Sequence, residues 1–153
     1  MAGSIVAGAV ALDQATKSWA VAELADGPVS IIGSDVQLRL SRNSGGAFSL
    51  FQGFTPLLAL LAAVITFVLV RAVRRAEDRL SVISLALVLG GAVGNLADRV
   101  VRSPGFLRGA VVDFVSVGSF PTFNVADSAI TVGAVLLVGS LFLPERTRRE
   151  PSG

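Results

Sequence analysis

Four apolar stretches, near residues 5–25, 54–70, 80–97 and 124–143, each approach the length of a helix that crosses a bilayer. Roughly 20 residues, at about 1.5 Å rise each, cover a hydrocarbon core of about 30 Å. Composition agrees: 52% of residues are hydrophobic and 16% charged, and the mean hydropathy is +0.72, outside the range of ordinary soluble domains. The chain is therefore expected to be an all-α integral membrane protein with four transmembrane helices. Its 153 residues form one domain, 1–153, with no room for a separate soluble module, so any chemistry must be built from the spans and their connections. The first stretch is interrupted by Asp13, Lys17 and Glu23, and Asp13 and Lys17, four apart, can meet on one helical face. It reads as a span and not as a cleaved leader, because it starts without positive charge and no sharp small-residue cleavage site follows.

Arginines orient the bundle. Arg71, Arg74, Arg75 and Arg79 crowd the link between the second and third stretches, and Arg146, Arg148 and Arg149 crowd the tail at 144–153. Basic residues favour the cytoplasmic side, so both termini are expected inside and the longer connections, 26–53 and 99–123, outside. The pI of about 10.4 is thus a matter of topology; no aromatic-basic platform for nucleic acid is present. In the first outer connection, Val36, Leu38 and Leu40 alternate with polar residues as in a short strand. A two-stranded ribbon is marginal in water, so it must rest on helix ends or lipid headgroups.

The polar residues beside apolar sequence carry the functional signal. Asp113 lies in AVVDFVSV and Asp127 in FNVADS, where an ionised carboxylate costs several kcal/mol unless something stabilises it. Asn95, Asp98 and Arg99 share one side of the third helix end at i, i+3 and i+4, and Asn124, Asp127 and Ser128 repeat that spacing at the start of the fourth. Helix capping accounts for Asn124 and only partly for Asp127. Two acids flanking a short connection, with Asn95 and Arg99 at the same membrane level, look like a site. The chain has no Cys and no His, which removes thiol nucleophiles, imidazole bases and the usual zinc and haem ligand sets.

Five motifs, in order, carry a family resemblance: DQATK at 13–17, RNSGGAFS at 42–49, GGAVGNLADR at 90–99, VVDF at 111–114 and FNVADSAI at 123–130. Together they resemble lipoprotein signal peptidase, or signal peptidase II, across nearly the whole chain. The resemblance implies a bacterial inner-membrane aspartic peptidase with four helices, a small extracytoplasmic β-cradle and a short periplasmic loop or helix that gates the site. Its substrate would be a prolipoprotein already carrying diacylglycerol on a cysteine, cut on the amino side of that cysteine. Carried over residue by residue, the catalytic pair falls on Asp113 and Asp127. Asn43, Asn95, Asp98, Arg99 and Asn124 would bind substrate or orient the acids, with Asp98 orienting Arg99. Asp13, Lys17, Gly45, Gly91 and Gly94 fall on structural motif positions. Membrane lipids and a globomycin-like cyclic peptide inhibitor are the other implied partners. No metal, cofactor or nucleic acid is expected, and nothing requires more than a monomer.

In such a pair, one ionised aspartate takes a proton from water while the other, protonated, hydrogen-bonds the scissile carbonyl. The two titrate together, so the sequence does not say which is acid and which is base. Three other classes compete: a Ser/Lys peptidase using Lys17 with Ser44 or Ser49, a proton-coupled transporter, and a structural subunit. Against the transporter, the polar residues collect at one rim of the spans. The aspartate pair predicts that removing Lys17 leaves substantial cleavage, whereas the Ser/Lys reading predicts none.

Overall fold

A computed structural model describes residues 1–44 and 55–142. Gly45 and the tail at 144–153 lie outside the described residues. Seven elements follow in order: α1 (Ala2–Glu23), β1 (Val29–Ile32), β2 (Val36–Asn43), α2 (Thr55–Arg75), α3 (Arg79–Val101), β3 (Val111–Val117) and α4 (Val125–Ser140).

The helices begin and end for local reasons. Asp78 caps α3 by accepting from the Ser81 N–H at 2.8 Å, and Asn124 and Asp127 form a reciprocal capping box at the start of α4. Arg74 and Arg75 occupy the last turn of α2, where positive charge meets the carbonyl end of the helix dipole. By length and composition, α2 and α3 can cross a membrane. The expected span at 124–143 is shorter, because α4 has 16 residues. The connection from α3 to β3 forms turns and no separate helix.

Burial is inverted relative to a water-soluble bundle. The inward stripe of α1 is Asp13, Lys17 and Ala20, and the largest fully buried side chains include Lys17, Asn124, Asp13 and Asp98. Meanwhile Leu57, Leu60, Val64 and Phe67 of α2 face outward, Phe67 with 63% of its surface exposed. Lipid is as apolar as leucine, so apolar side chains gain nothing by turning inward, and polar groups must find partners inside the bundle.

α3 is the central helix and packs on α1, α2 and α4. Its glycines allow close approach on two sides. A Cβ at Gly94 would stand 2.5 Å from Asp13 Oδ2, and one at Gly91 would overlap the carbonyl oxygen of Ala126 on α4. Gly90 faces Ala9 of α1, so the Gly90–Gly94 pair serves the α1 contact while Gly91 serves α4.

The strands form one antiparallel sheet in the order β1-β2-β3. The ribbon expected in the first outer connection thus gains a third strand from the AVVDFVSV segment. The sheet rests on the end of α1, where Ala20, Leu24 and Phe114 pack with Leu38 and Leu40, and the rings of Trp19 and Phe114 meet edge to face at 6.4 Å.

Gly94→Ala is expected to lower the stability of the purified protein by about 1–3 kcal/mol through overpacking against Asp13. Gly139→Ala, where an added Cβ meets nothing within 4 Å, should leave it unchanged. Thermal unfolding of both variants in detergent micelles checks the difference.

Candidate active site

Strand register and one cap bring the two acids together. Val111, Val112, Asp113 and Phe114 are all buried, so β3 places Asp113 inside the protein. Asn43 pairs with Val111 and Ser41 with Asp113 across the ladder, which puts Asn43 diagonally beside Asp113 on the same face. Its amide donates to Asp113 Oδ2 at 3.3 Å. After β3 the chain turns at Gly118, which has φ 52°, and folds back so that Phe123 exchanges backbone hydrogen bonds with Val115 at 2.9 and 3.0 Å. That return sets Asn124 against Asp113 and starts α4.

Asn124, fully buried, bridges the acids. Its Oδ1 accepts from the Asp127 N–H at 2.9 Å, its own N–H donates to Asp127 Oδ2 at 3.2 Å, and its Nδ2 donates to Asp113 Oδ1 at 2.6 Å. Asn95 Nδ2 donates to Asp127 Oδ1 at 2.9 Å. Three of these four contacts bring donors to the two carboxylates. Burial pushes the Asp113 carboxyl up to about 6, the Asp127 charge adds to the shift, and the donors Asn124 and Asn43 oppose it. Both acids line a cleft of about 550 Å³ with Asn43, under a wall that includes Phe120, Phe123 and Val132.

Behind the cleft lies a buried ionic cluster. Lys17 Nζ stands 2.9 Å from Asp13 Oδ2 and 2.9 Å from Asp98 Oδ2, with all three side chains fully buried. Asp98 also accepts from Arg102 at 2.7 Å and from the Val112 N–H at 3.1 Å, and Asp13 accepts from the Ala126 N–H at 3.0 Å. The cluster therefore ties α1 and α3 to β3 and α4.

Three expectations change. Asp98 takes Lys17 and Arg102 as its direct ion-pair partners and acts on Arg99 through its charge, because side chains at i and i+1 on a helix do not face each other whereas i and i+4 do. Arg99 donates to the Asn95 carbonyl at 3.2 Å; its buried Nε has no hydrogen-bond partner among the described residues, and the charges of Asp98, Asp113 and Asp127 act on it. Lys17 has three donors, and they go to Asp13, Asp98 and Asn95, leaving none to activate a serine. Removing Lys17 alone would strand two buried carboxylates, so that change does not separate the two peptidase readings as expected. Arg102 and Gln14 escaped the sequence reading. Gln14 Nε2 contacts Asp13, Asp98 and the Gly94 carbonyl, each at 3.1 Å. The i, i+4 spacing of Asp98 and Arg102 was the available signal for the arginine.

Helices turned inside out around paired carboxylates define a membrane enzyme, and comparison with known proteins gives its kind. Residues 5–143 match the family model described as signal peptidase (SPase) II. The chain is 49% identical over 150 residues to a lipoprotein signal peptidase of Rhodococcus jostii, covering 95% of this chain and 76% of that one. It is 48% identical over 136 residues to one of Mycobacterium tuberculosis, covering 88% and 67%. A bacterial membrane enzyme solved by the in meso method superposes with a TM-score of 0.78 at 26% identity, over 99% of this chain and 93% of that chain. The chain belongs to the signal peptidase II family, as the five motifs implied. It is thus a bacterial membrane peptidase, of a family that removes signal peptides from prolipoproteins.

Asn124→Ala is expected to cost about 1 kcal/mol through loss of the α4 cap. By removing a donor it should also move the Asp113 titration above 6. Carboxyl-carbon NMR of aspartate-labelled protein checks the second effect.

Proposed function

We propose that this chain cuts diacylglyceryl-modified prolipoproteins on the amino side of the lipid-bearing cysteine, with Asp113 and Asp127 activating water. The observation that carries this reading is the pairing of the two carboxylates on one cleft, each met by amide donors. Two like charges so placed favour keeping one proton between them. Asp113 is the member burial drives toward the protonated form, whereas Asp127 sits at a helix N-terminus that favours negative charge. Asp127 therefore takes a proton from water, and Asp113 donates a hydrogen bond to the scissile carbonyl. Water oxygen bonds to the carbonyl carbon. The C–N bond then breaks as the leaving nitrogen takes a proton, giving a signal-peptide carboxylate and a free cysteine amine.

Arg99, whose Nε is unpartnered among the described residues, and Asn43 at the cleft hold the substrate backbone. The outward apolar faces receive the acyl chains, at about 0.8 kcal/mol per buried methylene. All four helices span the bilayer. Asp113 and Asp127 lie at the extracytoplasmic side, while Arg71, Arg74, Arg75 and Arg79 face the cytoplasm. α4, at 16 residues, covers about 24 Å, so the bilayer is thinned or the dyad lies slightly within its outer boundary. The enzyme works as a monomer and needs no metal.

Incubating the purified protein with lipidated and unlipidated forms of one precursor tests the reading. Only the lipidated form should be cut, globomycin should block the reaction, and Asp113→Asn and Asp127→Asn should each lower the rate by about 10³-fold or more. As pH rises through about 6, Asp113 loses its proton and both acids are charged, so kcat/KM, which reports the free enzyme, should fall. Equal cleavage of both precursors, or full activity of either variant, would refute the proposal.

A further inference from the structure

Lys17 is fully buried and stands one asparagine away from Asp127. An ammonium offers donors only, so the contact of Lys17 Nζ with Asn95 at 2.9 Å must be made to the amide oxygen. Asn124 Nδ2 donates to the same oxygen at 3.2 Å. With its oxygen so held, Asn95 can only present its NH₂ to Asp127 Oδ1, at 2.9 Å. Reversing the amide would set NH₂ against an ammonium and a second NH₂, and oxygen against a carboxylate, creating three repulsive contacts at once. Asn124 is fixed independently, because its oxygen accepts the Asp127 N–H.

We propose that Lys17 is a positioning residue for catalysis: it locks the Asn95 amide with its NH₂ toward Asp127 and so selects Asp127 as the ionised, water-activating acid. The inference rests on the aspartic-peptidase reading above. Charge balance supports it. The charged groups around Asn95 are Asp13 and Lys17 from α1, Asp98, Arg99 and Arg102 from α3, Asp113 from β3 and Asp127 from α4. With one proton on Asp113, three anions (Asp13, Asp98, Asp127) face three cations (Lys17, Arg99, Arg102). Ionising Asp113 as well leaves an unbalanced negative charge in a buried place, which is costly.

The test compares two charge-balanced double variants. Lys17→Met with Asp13→Asn removes one cation and one anion, leaves Asp98 its Arg102 partner, and keeps an oxygen at residue 13 for the Ala126 N–H. Lys17→Gln with Asp13→Asn makes the same changes but retains a donor able to reach Asn95. The methionine variant should lose about 10- to 100-fold in kcat with KM little changed. The acid limb of its pH–rate profile should move to higher pH, because the Asn95 amide is no longer held with its NH₂ toward the site. The glutamine variant should recover most of the rate and the original acid limb. Equal behaviour of the two, or a lower rate with the acid limb unmoved, would reduce Lys17 to a structural role and overturn the proposal.

Should the methionine variant not fold, ¹⁵N-asparagine NMR of the wild type decides instead. The proposal requires slowly exchanging Asn95 NH₂ protons that shift as the acids titrate, and a freely flipping or unresponsive amide contradicts it. If Asp113→Asn and Asp127→Asn retain activity, it is the aspartic reading that fails.

Discussion

A single buried ammonium governs this structure. Lys17, held between Asp13 and Asp98, cannot be hydrated and cannot be left without its partners, because an isolated ion in an apolar interior costs several kcal/mol. Satisfying it brings α1 against α3 at the level of Gly94, where the absent side chain leaves room for the Asp13 carboxylate. The same acids also capture backbone N–H groups: Asp13 takes that of Ala126 on its other oxygen, and Asp98 takes that of Val112 on the oxygen that faces Lys17. One charge thereby sets the placement of α4 and β3, the two elements that carry Asp127 and Asp113.

The lipid environment explains why such a centre exists. In water, folding would be driven by apolar side chains turning inward; here Leu57, Leu60 and Phe67 turn outward, and packing plus polar pairing hold the bundle together. The interior is therefore available for charge, and the bundle uses it to grade the environment from a sealed ionic cluster to a cleft open at the sheet. Asp113 lies between, buried by β3 yet lining the cleft, and its carboxyl rises to about 6 as a consequence. A carboxyl that keeps its proton under mildly acidic conditions is what general acid chemistry at a peptide carbonyl requires.

Much of this was readable before any coordinates. Asp13 and Lys17 announce their pairing by spacing, Asp113 is conspicuous within a run of β-branched residues, and Asn124 with Asp127 spell a helix cap. What could not be read follows from tertiary placement. That β3 pairs with β2 depends on strand register across about 70 residues of sequence separation, which local patterning does not encode. Within α3, the direct ion pair of Asp98 goes to Arg102, its i+4 neighbour, whereas Arg99, adjacent in sequence, meets Asp98 through charge without facing it. Gln14, polar and unremarkable in sequence, is defined as part of the ionic cluster only by α3 lying across it. The length of α4 was overestimated because hydropathy continues past the point at which the helix ends.

The central claim is that Asp113 and Asp127 hold one proton between them, carried by Asp113. Infrared spectroscopy of the resting protein, following the carboxylic-acid C=O stretch as pH is raised from about 4.5 to 8, tests it most directly. The account predicts a protonated carboxyl that titrates near 6 and disappears in Asp113→Asn. Absence of any such band at pH 5, or a band that persists unchanged in Asp113→Asn, would contradict it.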